Sequence, residues 1–284
     1  MDTAVTGTAI GPMVIAAVDQ FEEHPLVRDE LAARILPLSG RLAVRAARWR
    51  PIRNALFSAT EKKIPGLWAS MLCRKRYIDD RLDATEARTA VVLGAGFDTR
   101  GCGHWDGRVF EVDLPATVKA KHERLLALFG ALPSSLTLVP VDFEQQSLEK
   151  ALEEHGYRDD GPVFFVWEAV TQYLTEDAVR ATFDFLSHAP AGSELVFTFL
   201  RKDFLAGDAM FGAEGGHREF VTKRRMWKFG LMPDEVEGFL APYGWKQIEQ
   251  LGPQEFSARY VQPSARVLPV SEIERTVRCV KVGA

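Results

Sequence analysis

The segment at residues 91–100 limits the possible folds more than any other part of this sequence. It reads Val-Val-Leu-Gly-Ala-Gly-Phe-Asp-Thr-Arg, so a strand-like apolar run passes directly into Gly94-Ala95-Gly96. Glycines at this point let the backbone turn sharply and approach a ligand closely. The segment predicts the first strand-to-helix turn of a nucleotide-binding sheet, although a tight turn without a ligand has the same pattern.

Short apolar runs alternate with amphipathic stretches from residue 89 onward. The runs lie at 90–93, 109–112, 136–141, 163–166 and 195–200, and the stretches with helical spacing lie at 114–129, 147–155 and 176–188. Continuous apolar runs favour strands buried on both faces, as in a parallel sheet covered by helices. Segments 245–251 and 276–282 alternate apolar and polar residues and predict a closing pair of strands. The predicted fold class is α/β, with a doubly wound, Rossmann-like sheet.

The remaining segments are predicted to be helical. Residues 8–88 have helical spacing, and proline and glycine are expected to break them into several helices at Pro37, Gly40, Pro51, Pro65 and Gly66. Residues 201–232 lose the strand pattern, and 233–240 again favour a helix. We therefore expect an N-terminal helical cap at 1–88, packed on a core at 89–284 that includes a helical lid at about 201–240.

Composition excludes several functional classes. An apolar share of 46% over 284 residues supports a substantial core, and a net charge of -4 leaves no general excess of positive charge for nucleic acid, although a local basic patch stays open. Three cysteines without paired spacing argue against disulfides and a cysteine-rich zinc site, so we expect no metal. Residues 1–11 lack the basic start and apolar run typical of a secretory signal, and no later stretch is apolar for long enough to span a bilayer. We expect a cytoplasmic protein with a small-molecule partner and neither nucleic acid nor membrane as a partner.

The predicted second strand, at residues 108–113, ends in a carboxylate. Asp113 lies where this architecture places an acceptor for ribose hydroxyls. Glu111 lies two residues earlier on the same side of the strand and is the competing candidate if the strand ends sooner. Asp113 could also cap the helix that follows Leu114 and Pro115, which does not exclude ribose binding.

The residues after the glycines distinguish between adenosine cofactors. A dinucleotide fingerprint has a third small residue three places after Gly96, but Thr99 stands there, and Asp98 puts negative charge where a pyrophosphate would lie. S-adenosylmethionine carries no phosphate. Its methionine end is zwitterionic, so protein carboxylates can bind its ammonium group while a basic side chain binds its carboxylate. The pattern favours S-adenosylmethionine and leaves NAD as the weaker alternative.

Several motifs resemble those of the leucine carboxyl methyltransferase family, whose bacterial branch contains S-adenosylmethionine-dependent methyltransferases. They are Leu-Gly-Ala-Gly-Phe-Asp-Thr-Arg at 93–100, Phe-Glu-Val-Asp-Leu-Pro at 110–115, Val-Asp-Phe at 141–143, Trp-Glu-Ala-Val-Thr-Gln-Tyr-Leu at 167–174 and the tail Val-Ser-Glu-Ile-Glu-Arg at 270–275. The resemblance runs from about residue 71 to the end. It implies a class I methyltransferase fold with S-adenosylmethionine as cofactor.

The resemblance implies roles at the adenosine side of the cofactor. Asp113, followed by Leu114, would accept the ribose hydroxyls, and Asp142 with the backbone of Phe143 would bind adenine. Asp142 also follows an apolar run, which places it at the carboxyl end of a strand, where ligands of open parallel sheets bind. Its alternative role is a cap for the next helix.

At the methionine side, the resemblance implies that Gly94, beside Ala95 and Gly96, contacts the amino-acid end through its backbone. Glu168 would face the ammonium, and Arg74 would pair with the carboxylate. A carboxylate that closes an apolar run, as Glu168 does, is costly unless paired. Arg76 is a second choice for the cation, and Arg74 could instead be a solvated charge beside Lys75.

One departure from the family concerns the early helical segment. Family members usually carry a second basic residue there to clamp the cofactor carboxylate, but residues 10–20 contain no lysine or arginine. Arg28 could substitute, or Arg74 could act alone. We expect weaker cofactor binding or a differently closed lid.

These residues favour an O-methyltransferase acting on a small molecule. A carboxylate acceptor is already ionised and needs no general base, whereas a hydroxyl wants one, for which His217 is the best loop candidate. Tyr173 would lie near the methyl group, and Lys223-Arg224-Arg225 could attract an acidic substrate. Carboxylate methylation is therefore favoured over hydroxyl methylation. The alternatives are a protein C-terminal carboxyl methyltransferase, an NAD-dependent oxidoreductase and a non-catalytic cofactor-binding protein.

Overall fold

The computed structural model describes residues 10–103 and 105–283 and contains one twisted sheet. Its parallel strands are β1 (Thr89–Leu93), β2 (Arg108–Asp113), β3 (Leu136–Pro140), β4 (Val163–Trp167) and β5 (Glu194–Arg201). β1 pairs with both β2 and β4, so the strand order reverses at β1. This arrangement confirms the predicted doubly wound fold, and its ligand crevice lies where the order reverses.

Three further strands complete the sheet. They are β6 (Gly230–Leu231), β7 (Trp245–Leu251) and β8 (Glu274–Lys281). β8 runs antiparallel between β5 and β7, giving the order β3-β2-β1-β4-β5-β8-β7. The predicted closing pair is confirmed, and β6 adds a two-residue parallel pairing at the end of β5.

From residue 10 onward, five helices precede the sheet: α1 (Ile10–Asp19), α2 (Ala32–Ile35), α3 (Leu38–Ala46), α4 (Arg50–Lys63) and α5 (Leu67–Ala84). Pro37 immediately precedes α3, and Pro51 lies in the first turn of α4, so both prolines begin helices. The predicted break at Gly40 is wrong, because this residue lies inside α3. A Cβ at Gly40 would come 3.1 Å from Leu36 Cβ, so glycine there allows close packing.

Helices cover both faces of the sheet. The remaining core helices are α6 (Pro115–Phe129), α7 (Leu148–Glu154) and α8 (Glu176–Ser187). Alternate residues of β1 point to opposite faces: Val92 packs with the N-terminal helices and α6, and Val91 packs with α7 and α8. The hydroxyl of Thr175 accepts a hydrogen bond from Ala178 N and so caps the start of α8.

The segment between β5 and β7 is less helical than expected. It contains α9 (Lys202–Ala206), α10 (Glu214–Gly216), a π-helix (His217–Lys223), β6 and α11 (Val236–Leu240). The helix predicted from residue 233 begins later because residues 233–235 form a turn. β6 approaches β5 closely, and a Cβ at Gly230 would lie 2.5 Å from Leu200 O.

Between β7 and β8 the chain forms α12 (Pro253–Phe256), a π-helical turn (Ser257–Val261) and a short 3-10 helix (Gln262–Ser264). The three cysteines are free thiols, and two of them are buried. Within residues 10–103 and 105–283, no helix combines the length and apolarity required to cross a membrane.

Candidate functional site

A cavity of about 920 Å³ lies at the carboxyl ends of β1, β2 and β4. Its wall includes residues from the N-terminal helices, the strand ends, the lid segment and the start of β8. The predicted site residues on this wall are Arg74, Gly94, Ala95, Gly96, Asp113, Leu114, Asp142, Phe143, Glu168 and Tyr173. Residues far apart in the sequence therefore meet at the crevice where doubly wound sheets bind ligands.

The glycine turn is fixed by the second strand. The amides of Gly94 and Ala95 both donate to Val112 O, at 2.7 and 3.0 Å. Gly94 has a φ of +71°, and a Cβ on it would lie 2.2 Å from Val170 Cγ2. The turn therefore requires glycine both for its backbone conformation and for contact with the loop after β4.

This arrangement bears on the choice of cofactor. A pyrophosphate at the glycine turn needs free amide groups, but two of the three amides are bound to Val112 O and that of Gly96 donates to Asp113 Oδ2 at 2.6 Å. The carbonyl oxygen of Gly94 receives no hydrogen bond from a described residue. An oxygen at this position can accept from an ammonium group, as the methionine end of S-adenosylmethionine requires.

Of the two carboxylates on β2, only Asp113 lines the cavity. Its Oδ2 accepts from Gly96 N and its Oδ1 from Leu114 N, the latter at 2.7 Å. Burial raises the pKa of Asp113 above its usual value, although hydrogen bonds from these two amides oppose the shift. Glu111 is buried instead beside Lys121, with 2.5 Å between its Oε2 and the lysine Nζ. Asp113 is thus held in a defined orientation and retains lone pairs for ribose hydroxyls.

Asp142 stabilises a turn after β3. Its Oδ1 accepts from Glu144 N at 3.0 Å, and its Oδ2 accepts from Gln145 Nε2 at 2.8 Å. The cap of α7 is Ser147, whose hydroxyl accepts from Lys150 N. Asp142 is therefore not the cap of the following helix, and its carboxylate stays at the cavity wall.

Arg74 is a buried member of an ion-pair network, so it is not a solvated charge. Its Nε donates to Glu168 Oε1 at 2.8 Å, and its Nη1 donates to Glu274 Oε2 at 2.6 Å. Its Nη2 donates to no residue in the described part of the chain. The guanidinium therefore keeps donors for a further anion. Arg76, the second choice, is more exposed and pairs with Asp80.

Arg100 is a site residue that the sequence reasoning missed. Its guanidinium is buried, donates from Nη1 to Glu168 Oε2 at 2.9 Å, and also pairs with Asp79 and Asp98. Burial tends to raise the pKa of Glu168, but the charges of Arg100 and Arg74 lower it by more than burial raises it. The pKa of Glu168 is therefore below its usual value. Only the place of Arg100 in the glycine motif hinted at a role, because its partner Glu168 is remote in sequence.

Arg100 also changes the interpretation of Asp98. Burial alone would raise the pKa of Asp98, but Arg100 and Lys75 lower it well below its usual range. Asp98 is therefore ionised, and its charge is balanced within the protein. Lys75 lies on the same wall, with its Nζ 3.3 Å from Asp29 Oδ2. Arg28, by contrast, is exposed and is not among the lining residues.

Basic and aromatic side chains form another part of the cavity wall, which we call the lid rim. Phe220 and Trp227 stack with ring centroids 4.5 Å apart, and Lys63 Nζ lies 4.6 Å from the centre of the Phe220 ring. The lid rim consists of Lys63, Phe220, Arg224, Trp227 and Lys228. Such a surface suits an anionic ligand with a flat or apolar body.

The two predicted catalytic residues have different environments. Tyr173 lies on the cavity wall in a short 3-10 helix, Thr171–Tyr173. His217 is not among the lining residues; its Nε2 lies 3.2 Å from Leu205 O, and its ring packs edge-on against Phe204. The lid thus uses His217 for packing.

Comparison with known proteins relates this site to a family. The family model described as leucine carboxyl methyltransferase matches residues 9–187. A Frankia alni protein named "Putative S-adenosyl-L-methionine-dependent methyltransferase" is 28% identical over 279 residues, covering 92% of this chain and 89% of its own length. A Mycobacterium tuberculosis protein of the same name is 31% identical over 220 residues, covering 72% and 70%.

Solved structures share the fold. A "putative methyltransferase" from Thermobifida fusca has a TM-score of 0.58 at 16% identity and covers 96% of this chain and 95% of its own. A DUF574 family protein from Streptomyces avermitilis has a TM-score of 0.56 at 17% identity, covering 94% and 96%. At such identities these structures establish the architecture alone. On the match of the family model, the chain belongs to the leucine carboxyl methyltransferase family and is a methyltransferase.

Proposed function

We propose that this methyltransferase esterifies a small carboxylic acid, with a hydroxyl compound as the second choice of acceptor. S-adenosylmethionine is the cofactor, in agreement with the names of the relatives and with the engaged amides of the glycine turn. When bound, it supplies a methyl group activated by a sulfonium charge. The task of the protein is to orient the acceptor and exclude water.

The observation that carries the proposal is an unpaired hydrogen-bond donor within the lid rim. Trp227 Nε1 is buried and has no hydrogen-bond partner among the described residues, although Trp227 lines the cavity. A buried donor without a partner costs roughly 1–3 kcal/mol. A carboxylate oxygen of an acceptor that displaces the atoms covering Nε1 would satisfy this donor. Lys63, which forms no ion pair with a described residue, would attract the acceptor, whereas Arg224 and Lys228 share their charge with Glu219 and Glu144.

The acidic groups of the cavity also favour an acceptor that is already ionised. Glu168 and Asp98 are paired with arginines that lower their pKa, which makes them weak bases. A hydroxyl acceptor would need a better base in the same place. A carboxylate needs none, and its attack on a sulfonium cancels opposite charges, which a dry cavity favours.

Tyr173 has a positioning role in this proposal. It lies on the same wall as the glycine turn and Glu168. Its ring can face the sulfonium, an attraction worth about 0.5–2 kcal/mol, or its hydroxyl can orient an acceptor oxygen. Either contact would hold the acceptor in line with the methyl group.

A labelled methyl-transfer assay tests the proposal. The purified chain is incubated with methyl-labelled S-adenosylmethionine and aromatic or aliphatic acids, their phenol or amide counterparts, and a peptide with a free C-terminal carboxylate. We expect base-labile label, released as methanol, from at least one small acid. Label that enters only phenols, only the peptide, or none of the compounds would overturn the proposed acceptor class.

Two lid-rim variants sharpen the assay once an acid is found. Trp227→Phe keeps an aromatic ring, although a smaller one, and removes the N–H, so the KM for the acid should rise roughly tenfold with little change in kcat. Lys63→Gln should raise the KM about fivefold. Lys62→Gln is the matched control, because Lys62 is an exposed neighbour that does not line the cavity. Equal effects of the two lysine variants would contradict a specific role for Lys63.

A further inference from the structure

One stretch of the N-terminal helices has a charge unlike that of the whole chain. Residues 31–60 contain six arginines and no aspartate or glutamate, in a chain of net charge -4. Arg53 pairs with Glu22, at 2.7 Å between Nε and Oε1. The other five arginines are exposed, namely Arg34, Arg41, Arg45, Arg48 and Arg50. The chain therefore concentrates positive charge on one part of its surface.

These five arginines form no ion pair with any residue in the described part of the chain. Several exposed arginines elsewhere do, such as Arg180 with Glu176 and Arg259 with Glu249. The charge of this stretch is thus available to an external anion.

Large apolar side chains stand among these arginines. Leu38, Leu42 and Trp49 are 61%, 57% and 66% exposed. Leu38 and Leu42 are one helical turn apart in α3, and Trp49 N donates to Ala46 O, which continues the turn beyond the helix. The three side chains therefore lie along one side of α3 and its end, while Val44 is buried on the other side.

We propose that this surface, which we call the arginine face, docks on a lipid bilayer that contains anionic phospholipids. The arginine face consists of Leu38, Arg41, Leu42, Arg45, Arg48 and Trp49, and the exposed Arg34 and Arg50 flank it in the sequence. Arginines near an anionic leaflet bind lipid phosphates, and tryptophan and leucine enter the boundary between headgroups and acyl chains. This proposal is independent of the reaction and its acceptor.

The apolar side chains favour a bilayer over nucleic acid. A phosphate backbone would neutralise the arginines, but it offers no apolar region for Leu38, Leu42 and Trp49. The interface of a bilayer accommodates both kinds of side chain. The proposal departs from the expectation of no membrane partner, which rested on the lack of a bilayer-spanning stretch and did not consider binding at the membrane surface.

Vesicle sedimentation with the full chain tests the arginine face. Vesicles of phosphatidylglycerol mixed with phosphatidylcholine are compared with vesicles of phosphatidylcholine alone, at low and at raised salt. We expect binding to the anionic vesicles, weakened by salt, and none to the neutral ones. The fluorescence emission of Trp49 should shift to shorter wavelength when the protein binds vesicles. This shift should be absent in Trp49→Ser.

Matched variants separate the arginine face from general charge. The triple variant Arg41→Gln, Arg45→Gln, Arg48→Gln should bind anionic vesicles roughly a hundredfold more weakly. The control triple Arg76→Gln, Arg180→Gln, Arg259→Gln removes the same charge elsewhere and should bind as the wild type does. Circular dichroism confirms that each variant is folded.

Three results would overturn the proposal. One is failure of the wild type to sediment with anionic vesicles at low salt, and another is an equal loss of binding in the two triple variants. The third is binding to double-stranded DNA without binding to vesicles, which would assign the arginine face to nucleic acid.

Discussion

Arg74 and Glu168 lie 94 residues apart in the sequence and are joined by a hydrogen bond of 2.8 Å between Nε and Oε1. The family resemblance assigns Arg74 to the carboxylate and Glu168 to the ammonium of the cofactor's amino-acid end. Both cofactor groups are attached to a single carbon atom, so adjacent receptors fit them. Under this assignment the pair would provide a preformed site, in which Arg74 and Glu168 each give up part of their mutual contact for a contact with the ligand.

Replacing Arg74 tests that site. Arg74→Met removes the cation and leaves Glu168 and Glu274 with fewer partners, so we expect the Kd for S-adenosylhomocysteine to rise at least roughly tenfold. Isothermal titration calorimetry on folded protein measures it. Arg76→Met, on the same helix but paired only with Asp80, is the control and should bind normally. An unchanged Kd for Arg74→Met would remove Arg74 from the site.

The two carboxylates of β2 should respond differently to amidation. Asp113→Asn should weaken cofactor binding by roughly 10-fold to 100-fold, because a charged acceptor for hydroxyl groups is lost. Glu111→Gln should leave the affinity unchanged but destabilise the fold by roughly 3–5 kcal/mol, because Lys121 would stay buried without its counter-charge. Titration calorimetry and urea unfolding distinguish the two effects, and the reverse pattern would make Glu111 the ligand.

Gly94 is expected to be required for the fold itself. In Gly94→Ala the new Cβ would meet Val170 Cγ2 at 2.2 Å, and an alanine would adopt a positive φ. We expect a loss of stability of roughly 2–4 kcal/mol in urea unfolding. Adding Val170→Ala should recover part of the loss, since it relieves the steric contact but not the backbone strain. No recovery would show that Val170 is not the obstacle.

Glu168 predicts a pH dependence of stability. Its pKa is lowered from the ordinary value of 4.5, because Arg100 and Arg74 outweigh burial. The unfolded chain therefore takes up a proton at higher pH than the folded chain does. The stabilisation from Glu168 should be complete above about pH 4.5 and decline as the pH falls below it.

Urea unfolding of the wild type and Glu168→Gln from about pH 7 to about pH 3.5 measures this contribution. The variant should be less stable near neutrality, and the difference between the two proteins should shrink toward acid. A constant difference across this range would contradict the ionised, arginine-paired state of Glu168.

Replacement of His217 and replacement of Tyr173 should affect activity differently. His217→Ala should leave kcat within roughly twofold and lower stability modestly, because its ring packs on Phe204 and does not itself line the cavity. Tyr173→Ala should lower kcat/KM by at least roughly tenfold, because an orienting contact at the cavity is lost. A large loss of kcat in a folded His217→Ala protein would restore this histidine as a catalytic base.

The sequence predicted those features of the fold that depend on a local pattern of residues. Apolar runs located the parallel strands, and Gly94 marked the turn, because both patterns are set locally. Asp113 and Glu111 could not be separated by spacing, since both follow the same strand period. Only the packing of Lys121 against β2 shows which carboxylate is buried in a pair and which reaches the cavity.

The remaining features depend on contacts between distant segments. Arg100 meets Glu168 only because β1 and β4 are neighbours, and Glu274 reaches Arg74 only because β8 returns beside β5. The lid was predicted as helical, but pairing of Gly230 with the end of β5 and the π-helix after Gly216 are tertiary effects. Neither leaves a periodic signal in the sequence.

The most direct test of the central claim is a crystal structure of the chain soaked with S-adenosylhomocysteine. We expect the ribose hydroxyls within hydrogen-bond distance of Asp113, the adenine beside Asp142 and Phe143, and the amino-acid end between Glu168 and Arg74. Density for the ligand at another place, or an empty cavity at saturating ligand, would contradict the assignment of this cavity as the cofactor site.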